Sequence, residues 1–145
     1  MANHEGELLA DEDVVLRAVH EKDVRNDGTL KHPAFFVSRN GKDNDGLSVT
    51  QEVGRTLEDL VKITGKDVFC SLTVSVVRQT PLSDEGKSTG SHGLDVRADP
   101  TSDDQYHALI INTPKMPEEP ISEEILALRK RVAEQLAKRA KLFIP

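Results

Sequence analysis

The densest group of potential cation ligands in the chain is the acidic turn Gly41-Lys42-Asp43-Asn44-Asp45-Gly46, with Glu52 a few residues on. If Gly46 took the sixth, sharply turned position of an EF-hand loop, Asp43, Asp45 and Glu52 would fall at positions three, five and twelve. Position one would then be Gly41 and position eight Ser48, so a hard cation would lose a carboxylate and the loop its apolar anchor. Pro33 and the strand-forming run Ala34–Ser38 also stand where the entering helix would have to be. The spacing therefore predicts a solvated turn between strands and no metal.

Other chemistry-bearing patterns fail for similar reasons. Glu85-Gly86-Lys87-Ser88-Thr89 ends like a phosphate-binding loop, but the first glycine of that motif would sit at residue 81, which is Pro, and no helical pattern follows Thr89. The five histidines (His4, His20, His32, His92, His107) and the single Cys70 contain no closely spaced pair of the kind zinc uses. None of the histidines opens the H-x-[ST] repeat of 2H phosphoesterases. Cys70, with His92 or His107 as base, could form a nucleophilic pair, but it falls on the apolar face of the clearest strand, where a thiol is raised in pKa and inert. His107, beside Tyr106 at the start of a strand, is a weak catalytic candidate.

The order of the N-terminal half carries the one catalytic resemblance. Val14-Val15-Leu16-Arg17-Ala18-Val19, a turn at Gly28, then Phe35-Phe36-Val37-Ser38 and Leu47-Ser48-Val49-Thr50 loosely resembles the opening of ADP-ribosyltransferase folds. That resemblance covers less than half the chain and rests on short motifs. It implies NAD as ligand, Arg17 as the NAD contact, Ser48 as the cleft serine and Glu85 on a long loop as the catalytic carboxylate. From the residues alone, Arg17 between two valines reads as a sheet-edge arginine that snorkels or pairs with a carboxylate.

The elements that must position these residues are legible from periodicity. At 145 residues the chain is one domain's worth, enough to bury roughly 70% of its unfolded surface. With only 3% aromatic residues, the core must be aliphatic. Residues 1–13 read as a flexible acidic lead-in, and 14–145 as a single α+β domain. Strands are expected at 14–19, Ala34–Ser38, Leu47–Thr50, Asp67–Val77, Leu94–Ala98 and Tyr106–Thr113, and the apolar run Ala108–Ile111 suggests burial on both sheet faces. Thr56 and Asp59 are spaced as a capping box for a short helix that Gly65 would stop. Residues 78–93, rich in Gly, Ser and Thr, form a long loop, and residues 114–120 a Pro-rich linker. A long C-terminal amphipathic helix, about 122–141, follows, with Ile121, Ile125, Leu128, Val132 and Leu136 as its core stripe. The fold class is thus α+β: a mixed or mostly antiparallel sheet of five or six strands, one short helix, and the long helix packed on it.

Charge narrows the partners. The net charge of −6 divides into −8 over residues 1–114 and +2 over 115–145, which argues against nucleic acid. The basic residues of the last helix, Arg129, Lys130, Arg131, Lys138, Arg139 and Lys141, read as a solvated face, with no aromatic residue among them to stack on bases. The residues at the start lack the character of a secretory signal, and the unpaired cysteine suits the cytoplasm. The sequence points first to a protein-interaction or self-associating module without catalysis or cofactor, its partner a protein or a second copy. It points second to an NAD-using or other nucleotide-processing enzyme with Arg17, Ser48 and Glu85 lining a cleft, and His20, His32 and His107 as orienting or acid/base groups.

Overall fold

The computed structural model describes residues 6–35, 47–53, 55–80, 94–111 and 123–143. Among the described residues six strands form one antiparallel sheet: β1 (Val14–Ala18), β2 (Leu47–Gln51), β3 (Phe69–Thr73), β4 (Asp95–Ala98), β5 (His107–Ile111) and β6 (Lys141–Leu142), in the order β4-β5-β2-β1-β3-β6. Three α-helices accompany them among the described residues, α1 (Leu57–Thr64), α2 (Val74–Arg78) and α3 (Glu123–Arg139). The α+β expectation holds, with the sheet wholly antiparallel. Among the described residues no helix is long and apolar enough to cross a membrane.

Alternation along the strands sorts side chains onto two faces. One face carries Val15, Cys70, Leu72, Leu47, Val49, Val96 and Ile110, packed with Phe35, with Val74 and Val77 of α2, and with Val132, Ala133, Leu136 and Ala137 of α3. The other carries Leu16 and Phe69, covered by Leu60 and Leu57 of α1 and by Phe143. The helix that covers this second face starts as its sequence predicts. Thr56 Oγ1 accepts from Asp59 N and Asp59 Oδ2 from Thr56 N, both at 3.2 Å, and Gly65 closes it in the left-handed region, φ +73°.

Several elements differ from their sequence reading. The expected strand through Val77 ends at Thr73, because β1 begins at Val14 and a longer β3 would have no partner there. Val74 N and Ser75 N donate instead to the carbonyls of Asp13 (2.9 Å) and Asp11 (3.0 Å), and the valines wind into α2, where Val74 and Val77 become core. Tertiary context thus overrides β propensity. Ala34 and Phe35, read as strand, belong to a 3-10 turn, His32–Phe35, and residues 36–38 lie outside the described ones. In β5 only Ala108 and Ile110 are buried, so the strand is sealed on one face rather than two.

Residues 6–9, expected within a lead-in, add to the edge of β4. Leu9 N donates to Val96 O (3.0 Å), Ala98 N to Glu7 O (2.8 Å), and Leu8 bridges Arg97. Leu9 is buried, and its carbonyl accepts from Arg78 Nη2. The same guanidinium binds Asp11 and Asp95, and these bonds raise its pKa further. Arg129, placed by its sequence on a solvated face, is 1% exposed. It lies three residues before Val132 and four before Ala133, so it shares their inward stripe. Ile121, and the side chain of Ile125, are not among the described parts of the helix.

Candidate functional site

The sheet face beneath α3 is filled with apolar side chains. Cys70 is among them: it is 1% exposed, burial pushes its thiol up to about 12 despite the nearby Arg17 charge, and its S–H donates to the Arg17 carbonyl 3.7 Å away. A thiol in that state is a packing group.

The opposite face is only partly covered. Beside α1 a cleft of about 710 Å³ opens over β1, β2 and β5. Leu16 and Ala18 form its floor, with Ser48 and Thr50 next to them on β2. Its walls are Ile63, Thr64 and Lys66 from the end of α1, and Thr101, Asp103, Asp104 and His107 from the β4–β5 hairpin. Register explains the grouping. Leu16 pairs with Thr50 and Thr50 with His107, so these three side chains share one rung on one face.

Arg17 and Ser48 meet where β1 and β2 part. Their ladder is paired at Val15–Gln51 and Leu16–Thr50. Beyond it Arg17 Nη1 donates to the Ser48 carbonyl at 2.7 Å and Nε to the Ala34 carbonyl at 2.5 Å, while the guanidinium lies 5.8 Å from the Phe35 ring centre. The arginine takes the place of ladder amides. Arg17 therefore lines the cleft with its head group engaged by backbone, and the exposed Ser48 hydroxyl makes no hydrogen bond among the described residues. His107 Nδ1 faces the Asp99 carbonyl (2.9 Å) and carboxylate (3.1 Å), which fixes the ring toward β4. Glu85, the proposed carboxylate, lies outside the described residues, as do the acidic run 41–46 and residues 81–93 of the loop expected at 78–93, whose first residue, Arg78, ends α2 instead.

Under one end of the cleft sits a polar cluster that sequence reasoning missed. Asp104, 6% exposed, accepts from Thr50 Oγ1 (2.5 Å), Arg55 Nη1 (3.2 Å) and Tyr106 N (2.9 Å). Arg55 Nη2 donates to Thr50 Oγ1 and to the Gln51 carbonyl, and its guanidinium lies 5.2 Å from the Tyr106 ring centre. The Arg55 Nε and Gln51 Nε2 are buried without a partner. One local signal was available: Thr101 caps the Asp104 amide at 2.9 Å, a hydroxyl three residues before an aspartate amide. Nothing local marks Arg55 as its partner.

His20 is exposed and His32 sits in the 3-10 turn, and neither lines the cleft. Among the described residues no three metal-ligating side chains cluster. Compared with protein-family models, curated proteins and solved structures, the chain matches none of them.

Proposed function

We propose that this chain is a recognition module, and that the cleft beside α1 takes a small polar ligand without itself making or breaking bonds. The observation that carries this reading is how the polar groups there are used. The groups most able to do chemistry hold the fold: Arg17 through two carbonyls, Asp104 through three donors, and His107 through Asp99. The Ser48 hydroxyl, the Lys66 ammonium and the Asp103 carboxylate have no polar partner among the described residues, and these are groups that bind. The volume lies within the range of small-molecule sites.

A second reading, a nucleotide-processing enzyme, is favoured by the meeting of Arg17, Ser48 and His107 at this one cleft. Amide NMR titration with NAD tests both. Saturable shifts at Ser48, Thr50, Lys66 and His107 without turnover support recognition. The same shifts with a hydrolysed or transferred product favour the enzyme. An unchanged spectrum at millimolar NAD counts against a dinucleotide in either role.

A further inference from the structure

The unengaged groups of the cleft are not scattered. In the register of the sheet, Leu16, Thr50 and His107 share a rung, and Ala18 and Ser48 lie two residues along their strands from it. At about 3.4 Å per residue these levels are roughly 7 Å apart. Lys66 follows α1 and lies two residues before Val68, whose carbonyl accepts from Val19 N, so it stands just beyond the Ala18 and Ser48 level, at that end of the cleft. Asp103 precedes Asp104, whose carboxylate is bonded to Thr50, so it stands at the other level. The cleft is therefore dipolar. One end offers an ammonium and a hydroxyl, the other a carboxylate that can only accept, and between them lie Ala18 on the floor and Ile63 on the wall.

We infer that the cleft takes a sugar phosphate. The phosphate lies against Lys66 and the Ser48 hydroxyl, and the vicinal hydroxyls of the sugar donate to Asp103. Each end selects by charge and by hydrogen-bond polarity. An anion at the Asp103 end is repelled, and a neutral hydroxyl at the Lys66 end forgoes the ion pair that a phosphate makes with the ammonium. Ribose 5-phosphate presents both groups, and it carries no base to add apolar contact. The inference rests on the cleft reading above and adds an orientation to it.

The experiment is an amide NMR titration of the full chain with ribose 5-phosphate, ribose and inorganic phosphate, repeated on Lys66→Ala and Asp103→Asn. Both side chains are exposed, so each variant should fold as the parent does. Ribose 5-phosphate is expected to shift the cleft amides with an affinity about tenfold above that of ribose, as one charge-assisted bond supplies. Lys66→Ala should erase that advantage and leave ribose binding as it was. Asp103→Asn should weaken ribose and leave phosphate alone. Equal affinity for ribose and ribose 5-phosphate, or an advantage that survives Lys66→Ala, overturns the orientation while leaving the cleft as a site. Absence of shifts from all three probes overturns this inference, and if NAD is also silent the cleft reading falls with it.

Discussion

The two faces of the sheet are built from the same strands yet differ in almost every physical respect. Toward α3 the side chains are aliphatic, and Cys70 is held as a neutral thiol in a dry interior. Toward α1 a small cluster of Leu16, Leu60 and Phe69 covers one part, and hydroxyls and charges occupy the remainder beside the cleft. The difference teaches that a short cover helix leaves room for a site. The eight residues of α1 span about 12 Å, too little to seal a six-stranded sheet. The 17 residues of α3, with α2 and the 3-10 turn, serve the other face.

The largest expected effect is on the dry face. Leu136→Ala removes a fully buried side chain and should cost about 2–5 kcal/mol in denaturant unfolding. A cost below about 0.5 kcal/mol would mean that α3 does not seal this face and would end the contrast. The same face should make stability fall in alkali. The Cys70 thiol has its pKa raised from 9.0 to about 12, so its contribution is complete below pH 9 and is lost as pH rises toward about 12. That contribution is on the order of 4 kcal/mol, and the stability difference between the parent and Cys70→Ala should shrink progressively above pH 9.

On the open face the polar cluster ties β2 to the β4–β5 hairpin. Asp104→Ala strands the nearly buried Arg55 guanidinium and should cost about 3 kcal/mol, with the damage localised by amide exchange to β2 and the β4–β5 hairpin. Val53, at the end of β2, is a β-branched residue at φ +41° and 51% exposed, a conformation that side chains of its shape resist. Val53→Gly should raise the unfolding midpoint, gaining about 1 kcal/mol after the greater freedom of the unfolded chain is counted. A lower midpoint would show that the valine is packed in solution. Ser48→Ala should leave stability within about 0.5 kcal/mol, since the folded domain uses the Ser48 carbonyl and not its hydroxyl.

What could be read in the sequence was local. The capping box at Thr56 and Asp59, the stop at Gly65 and the two-residue alternation of Val14–Val19 are satisfied within a few residues of themselves, and each formed as expected. The elements that resisted reading depend on distant partners. Val74–Val77 coil because β1 starts too late to pair with them, and residues 6–9 are ordered by β4 and by Arg78. The site divides the same way. Ser48 and His107 were recognisable as polar residues on strand faces, and register brought them to one cleft. Thr101 three residues before it hinted at Asp104, but nothing in the sequence joins Asp104 to Arg55, because 49 residues separate two groups that matter only in contact.

The pairing of Leu8 with Arg97 also sets an order of events in time. As the chain emerges from a ribosome, β1 can find β2 and β3 early, whereas residues 6–9 have no edge to join until β4 has been made. Pairings between segments so far apart in sequence form slowly, since closing the intervening chain costs entropy before any contact rewards it. Residues 6–9, made before β1, are thus among the last to take their place, and until then β4 presents a bare edge to whatever strand is near.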